Sequence, residues 1–141
     1  MKLLIINGPN LNIIGKRQPE FYGYRNFEDY LTYLREKYGK LHIGYYQSHN
    51  EGDIIGAIHK ADGDYNGIIL NGGSYSHTSI GIADAIQSVS VEVVEVHISN
   101  VYKREAFRHH SYLSAYCRGV ITGFGLQSYE LAIESFVGNA S

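Results

Sequence analysis

The sequence of 141 residues contains no tryptophan, one cysteine, one methionine and two prolines. The single cysteine, Cys117, excludes an intramolecular disulfide, so the fold does not depend on an oxidising compartment. No segment has the roughly 20 consecutive apolar residues that a transmembrane helix needs, and the apolar run near the amino terminus is too short for a secretory signal. Twelve Lys and Arg against fourteen Asp and Glu give no basic excess for nucleic acid. We therefore expect a cytoplasmic protein that binds neither membranes nor nucleic acid.

The composition is that of one globular domain. Hydrophobic residues make up 44% of the chain and charged residues 18%, which excludes a disordered chain or a charged tail. A length of 141 residues supports one hydrophobic core, so residues 1–141 are expected to form a single domain. The thirteen tyrosines each combine a large ring that packs in a core with a hydroxyl group that can hydrogen-bond or titrate.

Apolar runs and helical periodicities alternate along the chain. Continuous or β-branched apolar runs predict five strands, at residues 3–6, 41–47, 67–70, 91–98 and 120–122. Apolar residues at helical spacing predict helices that begin after Asn26, after Asn50, after Thr78 or Ser79, and at Ser128. Because parallel strands need crossover connections, this order predicts an α/β fold. We expect a flavodoxin-like three-layer sandwich with a five-stranded parallel sheet of order 2-1-3-4-5.

Polar side chains follow the predicted strands at their carboxyl ends, the edge at which open α/β sheets bind ligands. They occupy residues 7–12, 47–51, 71–77 and 97–100. One such residue alone is more readily explained by a turn or a helix cap, but together these groups suit a polyhydroxylated or carboxylated small molecule. The irregular stretch from Gly8 to Arg25 is long for a connection, and it predicts a lid with Gly15 and Gly23 as hinges.

Residue spacing excludes several other kinds of site. The interval between Gly8 and Gly15-Lys16 is too long for a phosphate-binding loop, and Arg17 stands where that loop needs Ser or Thr. The glycine patterns of a dinucleotide site and of a nucleophilic serine are missing from the sequence. The adjacent pair His109-His110 lacks metal-ligand spacing. Cys117 is expected to be a buried, unreactive thiol.

Arg17 and Tyr22 are the remaining candidate pair, and both lie in the predicted lid. The pKa of a tyrosine is ordinarily about 10, and an adjacent guanidinium lowers it by stabilising the phenolate. Such a phenolate is able to remove a carbon-bound proton from a ligand. In this interpretation Tyr22 faces His97, one of the polar residues at the carboxyl ends of the strands. The residues alone leave two hypotheses open: an enzyme that uses this base, and a flavodoxin-like module that binds a carboxylated ligand without changing it.

Five groups of residues follow one another along the chain. They are Asn7-Gly8-Pro9-Asn10-Leu11-Asn12 with Arg17-Gln18-Pro19-Glu20-Phe21-Tyr22-Gly23; Gln47-Ser48-His49-Asn50-Glu51-Gly52; Ile69-Leu70-Asn71 with His77-Thr78-Ser79; Glu95-Val96-His97-Ile98-Ser99-Asn100; and Phe107-Arg108-His109-His110-Ser111-Tyr112. In order and spacing they resemble the type II 3-dehydroquinate dehydratases, and the resemblance covers nearly the whole chain. The chain departs from the residues usual in that family at Gln18, Gly72, Ala83 and Tyr102-Lys103.

The resemblance implies a reaction and a set of reacting groups. The reaction is the dehydration of 3-dehydroquinate to 3-dehydroshikimate without cofactor, metal or Schiff-base lysine, in aromatic biosynthesis or in quinate breakdown. Tyr22 is implied as the general base, with Arg17 holding it ionised. Asn10 is implied to position a water against the enolate oxygen. His97 is implied as the general acid, with Glu95 orienting it.

The resemblance also implies how the substrate is bound and how the chain assembles. The implied binding groups are Asn71, His77, the backbone N–H groups of Ile98 and Ser99, and Arg108, whose planar fork suits a carboxylate. Asp84 is implied to reach the site of a neighbouring subunit. The family pattern implies homo-oligomers, with trimers grouped into a dodecamer.

Overall fold

The structure, a computed structural model, describes residues 1–13 and 26–139. The described residues form five β-strands and four α-helices, with short 3-10 helices in the connections. In chain order the main elements are β1 (Lys2–Asn7), α1 (Phe27–Lys37), β2 (His42–Gln47), α2 (Glu51–Ala61), β3 (Gly67–Asn71), α3 (Ile80–Ser88), β4 (Glu92–His97), β5 (Gly119–Thr122) and α4 (Gln127–Asn139).

All neighbouring strands are parallel, and the sheet order is β2-β1-β3-β4-β5. The predicted order 2-1-3-4-5 is therefore confirmed. Strand β1 lies between β2 and β3, and its Asn7 is paired with Gln47 at the end of β2 and with Asn71 at the end of β3. This register brings the polar residues that follow β1, β2 and β3 to one edge of the sheet.

Helices cover the sheet on both faces, which gives the predicted three-layer sandwich. Residues of α1 and α4 form one core cluster with alternate residues of β1, β3 and β4. Residues of α2 and α3 form the other cluster with the intervening residues of the same strands. Every residue of β3 is buried, as a strand covered on both faces requires. Across the described ranges, no helix is both long enough and apolar enough to span a membrane.

The helix starts agree only partly with the sequence prediction. Asn26 and Ser79 cap α1 and α3, because their side chains accept hydrogen bonds from the third residue beyond each of them. Asn50 is the N-cap residue of α2, as predicted, but its side chain does not make the capping hydrogen bond. Its Nδ2 donates to the Asp53 carboxylate over 3.2 Å, and its Oδ1 accepts no capping bond. The carboxylate of Asp53 also accepts from Ser48 Oγ over 3.0 Å.

Other boundaries shift by one or two residues. Helix α4 begins at Gln127 rather than Ser128, whose hydroxyl accepts from the Phe124 N–H over 3.2 Å. Strand β4 is shorter than the β-branched run that predicts it, because Val91 and Ile98 lie outside its ladder. The charged segment after β4 contains 3-10 helices at Val101–Lys103 and Ala106–Arg108.

Two glycine-to-alanine changes are expected to alter stability in opposite directions. A β-carbon on Gly67, at the start of β3, would overlap the ring of Phe136 from α4. We expect Gly67→Ala to lower the free energy of unfolding by about 1–3 kcal/mol, the usual cost of overpacking a core. Gly56 lies exposed within α2 with open space around it. The matched control Gly56→Ala is expected to raise stability by about 1 kcal/mol, because alanine favours a helix interior. Urea denaturation measures both, and equal effects would contradict the packing argument.

Candidate active site

A cavity of about 440 Å³ opens at the carboxyl ends of β1, β3 and β4. Its walls come from the loops that follow these three strands. The lining residues are Pro9, Asn10, Leu11, Asn71, Gly73, Ser74, His77, His97, Ile98, Ser99, Val101, Arg104 and Arg108. The cavity thus lies at the edge where the sequence predicts ligand binding.

Seven of the ten predicted site residues line this one cavity. They are Asn10, Asn71, His77, His97, Ile98, Ser99 and Arg108. Asp84 is exposed on α3 and does not line it. Tyr22 and Arg17 lie outside the described residues, as does most of the predicted lid with Gly15 and Gly23. Their roles stay predictions.

His97 is held by a buried carboxylate. Glu95 and His97 are two residues apart on β4, so their side chains share one face of the sheet. Glu95 Oε2 lies 2.5 Å from His97 Nε2, and its Oε1 accepts from Ser114 Oγ over 2.6 Å. Because the carboxylate accepts the proton on Nε2, the other ring nitrogen, Nδ1, is the one left for a ligand.

Glu95 is ionised at neutral pH although it is fully buried. Burial alone would raise the pKa of its carboxyl group. The hydrogen bond and charge of His97, together with hydrogen bonds from Ser114 and Ser111, outweigh burial and hold that pKa below its ordinary value. The carboxylate is therefore able to orient the imidazole as an acceptor at neutral pH.

His77 lies beside His97 in the cavity wall and has a defined tautomer. Its Nδ1 lies 2.8 Å from the backbone carbonyl oxygen of His110. A carbonyl oxygen only accepts, so Nδ1 carries the proton and Nε2 is left for a ligand. The rings of His77 and His97 are stacked, with centroids 6.0 Å apart. Two imidazoles with fixed orientations thus stand side by side in the wall.

Asn10 has an unusual backbone conformation at the cavity mouth. Its φ is 67°, in the left-handed region that asparagine tolerates better than most residues. Its N–H donates to His49 Nδ1 over 3.2 Å, and the Tyr75 hydroxyl in turn donates to the His49 carbonyl oxygen over 2.8 Å. The loop after β2 therefore supports the loop that carries Asn10.

The charge of the cavity wall is positive. Arg108 donates through Nε to the Glu105 carboxylate. The edge formed by its two terminal nitrogens is then the part of the guanidinium that can bind a ligand. Arg104, which the sequence analysis missed, also lines the cavity, and one of its terminal nitrogens lies 3.4 Å from Ser99 Oγ. Two guanidinium groups and two imidazoles lie in the wall, and none of the described residues that line it is acidic. Such a wall favours an anionic ligand.

Cys117 is half-buried, whereas the sequence predicts a buried thiol. Burial, with a smaller contribution from the charge of Glu95, raises its pKa to about 12, so the thiolate is scarce at neutral pH. Within residues 1–13 and 26–139, no group of three or more His, Cys, Asp or Glu side chains is arranged to hold a metal ion.

Both the sequence and the fold of this chain are similar to those of known proteins. The model of the family described as Dehydroquinase class II matches residues 1–137. A 3-dehydroquinate dehydratase from Exiguobacterium is 50% identical over 97% of this chain and 94% of its own, and one from Bacillus pumilus is 48% identical over 95% and 92%. The crystal structure of a type II dehydroquinase from Butyrivibrio crossotus superposes with a TM-score of 0.90 at 44% identity, covering 97% of each chain.

Proposed function

This chain belongs to the class II dehydroquinase family, a family of hydro-lyases, and we propose that it removes water from 3-dehydroquinate by an anti elimination through an enolate. The product is 3-dehydroshikimate, and the step belongs to the shikimate pathway. The observation that carries the proposal is that seven residues assigned to this chemistry by their motifs line one positively charged cavity. A carboxylated, hydroxylated substrate suits such a wall.

The first proposed step is removal of the proton on the carbon next to the ketone. Tyr22 takes this proton as its phenolate, and Arg17 keeps the phenolate ionised at neutral pH. The electron pair of the broken C–H bond moves into an enolate. Asn10 positions a water that donates a hydrogen bond to the enolate oxygen, which stabilises charge where it develops. This step needs no cofactor, since the ketone itself accepts the electrons.

The second proposed step is loss of the hydroxyl group from the next carbon. As the enolate collapses, a carbon–carbon double bond forms and the carbon–oxygen bond breaks. His97 gives a proton to the departing oxygen, which leaves as water. The hydrogen bond of 2.5 Å between Glu95 and His97 Nε2 supports this role, because it fixes the ring with Nδ1 available for the transfer.

The remaining residues bind the substrate in the proposal. Arg108 and the backbone N–H groups of Ile98 and Ser99 take the carboxylate, and His77 and Asn71 take hydroxyl groups. Asp84 reaches the site of a neighbouring copy, in trimers that group into a dodecamer. Its exposed position on α3, away from the cavity of its own chain, is compatible with that role. Light scattering that reports a monomer at working concentration would contradict the assembly.

A turnover assay tests the proposed reaction directly. Purified enzyme incubated with 3-dehydroquinate is expected to form a conjugated product, which is followed by its ultraviolet absorbance. A binding module without activity would instead show heat of binding by calorimetry and return 3-dehydroquinate unchanged. That outcome would overturn the proposed function.

A further inference from the structure

Three buried polar side chains meet behind the cavity wall. They are Asn7 from β1, Asn71 from β3 and Tyr129 from α4, with exposed fractions of 0%, 3% and 0%. Polar groups buried to this extent destabilise a fold unless hydrogen bonds satisfy them. Only Asn71 of the three also lines the cavity. The cluster therefore connects the core to the site.

In each hydrogen bond of this cluster, the donor and the acceptor can be assigned. Asn71 Oδ1 accepts from the Gly73 N–H over 3.1 Å, and a backbone N–H only donates, so the amide oxygen must face Gly73. Asn71 Nδ2 then donates to the Tyr129 hydroxyl over 3.0 Å. The hydroxyl has one proton, which it donates to Asn7 Oδ1 over 2.8 Å. The arrangement fixes which atom of the Asn71 amide is nitrogen and which is oxygen.

We propose that Tyr129 is a positioning residue that fixes the orientation of the Asn71 amide for substrate binding. With Nδ2 held by the Tyr129 hydroxyl, the second N–H on that nitrogen remains as a donor for a substrate hydroxyl or carboxylate oxygen. A rotated amide would present an oxygen in its place, which accepts a hydrogen bond but cannot donate one to the same substrate atom. The inference rests on the proposed function, because it takes Asn71 as a substrate-binding group.

Tyr129 is suited to this role because its ring has little freedom to move. The ring is fully buried and packs edge-on against Phe27 of α1, with centroids 4.9 Å apart. Aromatic packing of this kind fixes the ring independently of the hydroxyl. The hydroxyl therefore forms a rigid acceptor, in contrast to an exposed side chain or a water that exchanges.

Tyr129→Phe removes the hydroxyl and keeps the ring. Asn71 Nδ2 then loses its acceptor in the core, and Gly73 alone holds the amide. We expect KM for 3-dehydroquinate to rise about threefold to tenfold, the effect of one net hydrogen bond, with a smaller change in kcat. In an Asn71→Ala background the same change is expected to leave KM unaltered, since Tyr129 acts through Asn71.

Tyr30→Phe is the matched control. Tyr30 is also buried, and its hydroxyl lies 2.7 Å from the Leu126 carbonyl oxygen and 2.9 Å from a Glu130 carboxylate oxygen, away from the cavity wall. Both variants lose a buried hydroxyl, so both are expected to melt at a lower temperature, but only Tyr129→Phe is expected to raise KM. An unchanged KM in folded Tyr129→Phe, or an equal rise in the Asn71→Ala background, would overturn the inference.

Asn7→Val tests the other hydrogen bond of the Tyr129 hydroxyl, the one that it donates to Asn7. It removes the acceptor of the Tyr129 proton and leaves both Tyr129 and Asn71 in place, so it serves if Tyr129→Phe does not fold. We expect a smaller rise in KM than for Tyr129→Phe, and we expect no rise in the Asn71→Ala background. If Asn7→Val and Asn71→Ala instead raised KM by factors that multiply, the inference would be contradicted. Failure of the proposed function is distinguishable, because the unaltered enzyme would then show no turnover. The dissociation constant for 3-dehydroquinate, measured by calorimetry, would replace KM in that case.

Discussion

His97→Asn is expected to lower kcat about 100- to 10,000-fold, the usual contribution of a general acid, while the chain stays folded. Asparagine removes the imidazole that is proposed to protonate the departing hydroxyl. It still offers an amide N–H to Glu95, so the buried carboxylate keeps a hydrogen-bond donor beside its contact with Ser114. KM is expected to change less than kcat, because the proton transfer occurs only as the carbon–oxygen bond breaks. Steady-state assays of the purified variant, with circular dichroism as the folding check, give both values.

His59→Asn provides the matched control, since His59 lies exposed on α2 away from the cavity wall. It is expected to retain the activity of the unaltered enzyme. Glu95→Gln is expected to lower kcat less than His97→Asn, because it replaces the charged acceptor of the ring with a neutral amide oxygen but leaves the ring present. A His97→Asn variant that is folded and within about threefold of normal kcat would show that another group donates the proton.

The fold was predictable to a large extent because its signals are local. Apolar runs such as Leu3 to Ile6 are required for strands that are covered on both faces. Because a helix separates each such run from the next along the chain, the strands are expected to be parallel. The cavity was predictable for the same reason: parallel strands end at one edge, so the residues after β1, β3 and β4 meet there. This geometry brings seven motif residues together without any knowledge of individual side-chain contacts.

The side-chain contacts were less predictable because they depend on three-dimensional packing. Asn50 lies at the N-cap of α2 as its residue type predicts, yet its side chain makes no capping bond, and its amide nitrogen donates to the Asp53 carboxylate instead. Arg104 is one of several charged residues between Lys103 and His110, and nothing in its spacing separates it from the others. Only the path of the loop after β4 brings it to the cavity wall.

Tyr129 shows most clearly that side-chain contacts are hard to predict from sequence. Its spacing in α4 indicates a core residue, and its ring is indeed buried. Its hydroxyl partners Asn7 and Asn71 are 122 and 58 positions away in the sequence. Helical periodicity therefore accounts for the ring but carries no information about the hydroxyl. A function for that hydroxyl becomes visible only when the elements are packed.

Tyr22→Phe is expected to lower kcat about 100- to 10,000-fold, because phenylalanine keeps the ring and lacks the ionisable oxygen of the proposed base. Tyr46→Phe is the matched control, since Tyr46 is an exposed tyrosine of β2 that does not line the cavity. It is expected to behave as the unaltered enzyme. The assay is the turnover measurement with 3-dehydroquinate, with thermal denaturation to establish that each variant is folded.

The pH dependence of an Arg17→Ala variant separates the base from its activator. In the proposal the guanidinium lowers the pKa of Tyr22, so its removal lets that pKa rise toward the ordinary value of about 10. The phenolate is then scarce at neutral pH and is regained as the pH increases. Arg17→Ala is therefore expected to lose activity at pH 7 and to recover part of it in alkaline solution. Tyr22→Phe has no group to ionise and is expected to stay inactive throughout. If Tyr22→Phe recovered in parallel with Arg17→Ala, the group that titrates would be a different residue, and the assignment of the base would be wrong.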